Sequence, residues 1–191
     1  MTTKRELPIL KKNLPQLFAV LLLLLFIVQE LIATNHTQFS EGDSFHSFQG
    51  HSIQQNKTIH LNDFSQDILL INFFATWCEP CKAEIPDLIT LEKKIGSQQF
   101  SILGLAGQSG NQFDVTSFVN QYQINYPVIL IEDEVLSLFG VQSFPTTFLV
   151  GPLPERKVLW QTFGPVSLDN IEFVLKEKGF SEILSKDRIM D

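Results

Sequence analysis

Two cysteines, Cys78 and Cys81, are all that this 191-residue chain possesses, and no histidine follows His60. A zinc site takes about four nitrogen or sulfur ligands. The four histidines (His36, His46, His51 and His60) all precede the cysteines, so no metal centre is expected. Basic residues are also scarce. The chain has 14 Lys and Arg against 21 Asp and Glu; the first 33 residues take four and two of these, leaving ten and nineteen beyond, a net charge of −9. Such an acidic body excludes nucleic acid as a partner and docking on anionic lipid. Internal repeats are absent. So is a clean small-x-small cleavage motif, for which Leu31-Ile32-Ala33 is a poor substitute.

Long apolar runs are few, and the first stands at the start. Lys4, Arg5, Lys11 and Lys12 precede twelve consecutive apolar residues, Leu17 to Val28. Extended to 14–33, the stretch would span about 30 Å as a helix, roughly the hydrocarbon thickness. An uncleaved transmembrane anchor is the expectation, with a signal peptide as the alternative. Basic residues on the inner side would put everything after Thr34 outside the cytoplasmic membrane, a periplasmic or extracellular setting that suits disulfide chemistry. The organisation expected is a basic cytoplasmic segment over 1–13, the anchor over 14–33, a polar linker over 34–43, one domain over 44–178 and a loose tail over 179–191.

The cysteines sit where a second apolar run ends. Ile68–Phe74, polar only at Asn72, reads as a strand buried on both faces. A helical pattern begins near Glu79, so Cys78-Glu79-Pro80-Cys81 lies at a strand-to-helix junction, a redox arrangement. A cysteine at a helix start meets free N–H groups and the positive end of the dipole, which favour the thiolate. The second cysteine lies one turn further in, placed to resolve a mixed disulfide. Pro80 suits the first turn, where its missing N–H costs nothing. Glu79 should push the Cys78 thiol back up, giving a milder thiolate. The other reading is a structural staple, which gains little entropy across so short a loop.

Periodicity organises the rest. Ile85, Leu88, Leu91 and Ile95 form a helical stripe, which Pro86 should kink. Strands are expected over 100–105, 127–131, 146–150 and 158–163, and helices over 113–122, 133–139 and 167–178, the last opened by Ser167 and stopped by Gly179. Ser44–Phe48, a Gly50 turn and Lys57–Leu61 suggest an N-terminal hairpin, with the histidines on it or facing solvent. The order of elements implies an α/β fold, a central mixed sheet flanked by helices.

Residues 77–86, Trp-Cys-Glu-Pro-Cys-Lys-Ala-Glu-Ile-Pro, resemble the active-site stretch of thioredoxin-like proteins of the membrane-anchored TlpA/ResA/DsbE (CcmG) group. Residues 139–150, Phe-Gly-Val-Gln-Ser-Phe-Pro-Thr-Thr-Phe-Leu-Val, resemble that group's cis-proline segment. The resemblance implies a thioredoxin-like fold over about 44–178 and a thiol-disulfide oxidoreductase with no cofactor beyond its own disulfide. It makes Cys78 the nucleophile, Cys81 the resolving thiol and Pro145 the cis-proline. Phe144 would pair with the substrate backbone, with Trp77, Glu79 and Pro80 shaping access. Asn72 stands where classical thioredoxins carry an aspartate, and Glu84 matches the group's acid three residues past the second cysteine. Glu84 is read either as a proton-transfer group for Cys81 or as an exposed helix acid. The implied partners are protein disulfides, those of apocytochrome c included, and a membrane thiol-electron donor. A peroxiredoxin-type peroxidase would need Pro-x-x-x-Thr-x-x-Cys, which Phe74–Cys81 lacks. A Sco-type copper carrier would need Cys-x-x-x-Cys and a late histidine.

Overall fold

A computed structural model describes residues 16, 18–27, 39–96 and 99–185. The chain divides into two compact units, 1–37 and 38–191. In the first, residues 18–27 are helical, and Phe18 and Val20 to Ile27 are exposed along it. Among the described residues no helix is long and apolar enough to cross a membrane; residues 14–15, 17 and 28–33 of the expected anchor, and all of 1–13, lie outside them.

The second unit is built on a seven-stranded sheet. Its strands are β1 (Gln49–Ser52), β2 (Lys57–His60), β3 (Ile68–Phe74), β4 (Phe100–Ala106), β5 (Val128–Leu130), β6 (Thr146–Val150) and β7 (Val158–Phe163), in the order β2-β1-β5-β4-β3-β6-β7. β3, β4 and β5 run parallel, and the other neighbours pair antiparallel. β3 lies inside, with both neighbours in place along its length, and every residue of β3 and β4 is buried. That is why both read as nearly unbroken apolar runs.

Alternation along β3 splits the core into two layers. Ile68, Leu70 and Phe74 face the helices α1 (Glu79–Ile95), α2 (Gln112–Tyr122) and α4 (Leu168–Glu177), through Leu88, Leu91, Val115, Ile171 and Leu175. Leu69, Ile71 and Phe73 face an aromatic layer of Phe45, Phe48, Phe139 and Phe148 under the short helix α3 (Asp133–Leu138). Asn72 falls on the α1 side by the same alternation. The expected α1 stripe is buried throughout, and the helix continues past Pro86 to Ile95. Ser167 caps α4, its Oγ accepting the Asn170 N–H at 3.3 Å, and Gly179 ends that stretch at φ +87°.

Four expectations are corrected. The hairpin's first strand is Gln49–Ser52, not 44–48: Phe45 and Phe48 are worth more as buried rings in the second layer than as strand residues. Gly50 is not its turn; it sits within β1, where a Cβ would stand 2.7 Å from the Leu130 carbonyl oxygen. The described end of the polar linker, 39–43, is docked, with Phe39 buried and the Gly42 N–H bonded to Val158 O at 2.8 Å. The tail also forms a helix, α5 (Ser181–Ser185), anchored by buried Ile183; residues 186–191 lie outside the described residues.

Arg156 was not anticipated. It sits in the loop between β6 and β7 in left-handed backbone (φ +44°), 2% exposed, and its guanidinium donates to Phe64 O, to Gln66 O at 3.1 Å and to Gly151 O at 3.2 Å. Burial lowers its pKa, and Asp67 pulls it back up. Arg156→Ala would strand these carbonyls, at a cost of about 2–4 kcal/mol. Urea unfolding should show a matching fall in midpoint, and Arg156→Lys should recover only part, since an ammonium lacks the planar fork. An unchanged midpoint in both would mean that water replaces the guanidinium without loss.

Candidate active site

The site starts at the open end of α1. Cys78 is the N-cap, in extended backbone, and its Sγ accepts the Cys81 N–H at 3.2 Å. That is the place a Ser or Asp oxygen usually takes, where the first-turn amides have no helical partner. Cys78 and Cys81 form a disulfide with Cα atoms 5.3 Å apart. Both are buried, Cys81 at 1% and Cys78 at 4%. The amide that points at Cys78 Sγ is the group that would stabilise a thiolate there.

Glu79 projects into solvent and pairs with Lys82 Nζ at 2.6 Å across one helical turn. Its hydrogen bond to the ammonium is the main reason that the Lys82 pKa is raised. The expectation that Glu79 lifts the Cys78 thiol therefore needs amending: a cation stands with the acid, and the two fields oppose each other. Pro80 occupies the first turn as expected.

Trp77, 60% exposed, is oriented by two contacts. Its indole N–H donates to Gln108 O at 2.8 Å, and its ring meets Phe144 edge-on at 5.9 Å. The Phe144–Pro145 peptide bond is cis. Gly164 N–H donates to Pro145 O at 2.9 Å, tying this segment to the end of β7. The fold thus brings residue 144, far along the chain, against the residue that precedes Cys78.

Glu84 is not an exposed helix acid. It is 2% exposed, one turn beyond Cys81 on the buried face of α1. Asn72 Nδ2 donates to its Oε1 at 2.8 Å and the Val166 N–H donates to its Oε2 at 2.8 Å. Asn72 also donates to Thr147 Oγ1 at 3.0 Å, its direct cross-strand neighbour. Burial outweighs these two hydrogen bonds and raises the Glu84 pKa from 4.5 to about 7. That rise is on the order of 3 kcal/mol in favour of the neutral acid. Beneath α1, burial raises the Tyr126 phenol well above its usual range, with the charges of Glu84 and Glu92 adding to it.

The structure therefore gathers Trp77, Cys78, Cys81, Phe144 and Pro145 at one end of the sheet, with Glu84 behind the sulfurs. Sequence reasoning missed Thr147 and Val166, and read Asn72 only as a lost acid. The available signal was a lone amide in an apolar strand, which must find a partner if buried.

Comparison with known proteins follows the same lines. The profile of the AhpC/TSA family matches residues 42–158. A thiol-disulfide oxidoreductase ResA from Bacillus subtilis is 37% identical over 113 residues, covering 58% of this chain and 61% of that protein. A ResA from Oceanobacillus iheyensis is 29% identical over 167 residues, covering 83% of this chain and 85% of that protein. The crystal structure of a putative thiol:disulfide interchange protein DsbE from Chlorobium tepidum superposes with a TM-score of 0.65 at 22% identity, covering 76% of this chain and 99% of that one. At that identity it shows a shared fold.

Proposed function

The chain belongs to the AhpC/TSA family, among its thiol-disulfide oxidoreductases, and from that premise we propose that it reduces protein disulfides outside the cytoplasmic membrane. The observation that carries the reading is the sulfur of Cys78 set against the Cys81 amide at a helix start, with Cys81 buried behind it. In the reduced protein the Cys78 thiolate attacks one sulfur of a substrate disulfide, and the other sulfur leaves as a thiolate. Cys81 then gives up its proton and attacks Cys78 Sγ, expelling the second substrate thiolate. The substrate gains two electrons, and the protein is left as the Cys78–Cys81 disulfide.

Glu84 acts in the second half of this exchange. With its pKa raised to about 7, the carboxylate can take the proton that Cys81 must lose and later return it. Trp77, Phe144 and Pro145 form the face that an incoming chain meets, flanked by Glu79 and Pro80. The sulfurs carry the electrons, so no cofactor is required; regeneration needs a dithiol donor in the membrane. The paired cysteines of an apocytochrome c are the substrate class that the resemblance implies. The apolar, helical residues 18–27 support an anchor over 14–33, inserted with its basic end inside.

The test is the full chain in detergent, equilibrated against glutathione and supplied with a reporter protein that carries one exposed disulfide. Reduction of the reporter and a potential near about −270 mV are expected for a reductant. A potential near about −120 mV would reverse the direction to oxidation, and inert cysteines would end the reading.

A further inference from the structure

Between β4 and α2, residues 107–111 form a short loop against the segment that leads into Cys78. Ser109 is a polar residue only 4% exposed, and its hydroxyl has two partners. It accepts the Thr76 N–H at 3.1 Å and donates to Gly107 O at 2.8 Å. Gly107 N–H donates in turn to Phe74 O at 3.0 Å. Gln108 lies in left-handed backbone, φ +48°, rare for a residue with a Cβ, and its carbonyl takes the Trp77 indole N–H at 2.8 Å. Phe74, Thr76 and Trp77 are each bonded to this loop. At 60% exposure, the Trp77 ring has little buried surface to fix it. Its orientation rests on that hydrogen bond and on the edge contact with Phe144.

We propose that Ser109 is a positioning residue for substrate recognition. Its hydroxyl fixes Thr76 to the loop and holds the loop's bend, so that the Gln108 carbonyl presents Trp77 in one orientation to an incoming protein chain. The partners of Ser109 are backbone groups and not the sulfurs, so the exchange chemistry itself does not depend on it. The inference rests on the reading of Trp77 as part of the substrate face.

The test uses the full chain carrying Trp160→Phe, which leaves Trp77 as its one indole, with and without Ser109→Ala. Loss of a hydrogen bond of ordinary strength corresponds to about a three- to tenfold effect. Ser109→Ala should raise KM for the reporter protein disulfide by about that factor, with kcat little changed. Reaction with hydroxyethyl disulfide, too small to need Trp77, should stay the same, and the steady-state anisotropy of Trp77 should fall. Unchanged KM and anisotropy would overturn the proposal. So would equal losses on both substrates with a lowered unfolding midpoint, which is the mark of a merely structural serine. Should the unsubstituted chain fail to reduce the protein disulfide at all, the functional reading is what fails, and the anisotropy of the Trp160→Phe pair alone still decides whether Ser109 orients Trp77.

Discussion

With Cys81 changed to Ala, the protein is expected to stop after its first exchange and to accumulate as a mixed disulfide between Cys78 and its substrate. Resolution needs a second sulfur within reach of Cys78 Sγ. The structure supplies one, on the next turn of α1 and 1% exposed, where no substrate thiol can stand in for it. Turnover should fall by about three orders of magnitude or more, the scale on which an acting nucleophile is lost. Stability should change far less. Opening so short a loop costs about 2 kcal/mol by chain entropy, and Ala fits a site made for a slightly larger side chain. Cys78→Ala is the matching control: it should capture nothing, because Cys81 lies inside the first turn of α1, behind the N-cap position that Cys78 holds at the substrate face. Non-reducing electrophoresis followed by mass spectrometry would show the adduct and name the trapped chain. If the Cys81→Ala protein kept full turnover, or Cys78→Ala formed the same adduct, the roles assigned to the two sulfurs would be wrong.

The parts of this site that were legible in the sequence are those whose cause is local. Ile68–Phe74 announces a buried strand by composition alone. Cys78 and Pro80 fit a helix start by capping chemistry, and Ser167 and Gly179 bracket α4 for similar reasons. What escaped is set by register and long-range packing. Phe45 and Phe48 flank polar residues in a strand-like pattern, yet the aromatic layer around Phe139 takes them out of the sheet. Arg156 lies in a stretch rich in Pro and charge that reads as solvated; only the fold brings Phe64, Gln66 and Gly151 carbonyls around it. Asn72 shows the same divide. Its identity suggested a lost proton acceptor, but pairing of β3 with β6 sets it opposite Thr147 and beneath Glu84. The acid is carried by the helix and its anchor by the strand, a division that one dimension does not reveal.

Glu84→Gln should remove a pH dependence from both stability and turnover. In the folded protein burial raises the Glu84 pKa from 4.5 to about 7, so between those values the folded state holds a proton that the unfolded chain has released. Stability linked to this group is therefore fully present below about pH 4.5 and is lost as pH rises through about 7. The loss is on the order of 3 kcal/mol at most, since a tenfold change in proton affinity corresponds to about 1.4 kcal/mol. Glu92, whose pKa is also raised by burial, contributes with the same sign. The absolute slope is then not diagnostic, and the difference between the two proteins is. Urea unfolding of the oxidised forms should show wild type falling more steeply than Glu84→Gln from about pH 5 to about pH 8. The amide brings its own cost of about 1–3 kcal/mol, because its NH2 must face either the Asn72 or the Val166 donor. That cost does not depend on pH, so the two effects separate. In turnover, loss of the proton acceptor for Cys81 should slow resolution by about 100-fold and erase an inflection near about pH 7. Retention of that inflection in Glu84→Gln would assign it to another group and leave Glu84 as a buried anchor between α1, β3 and Val166.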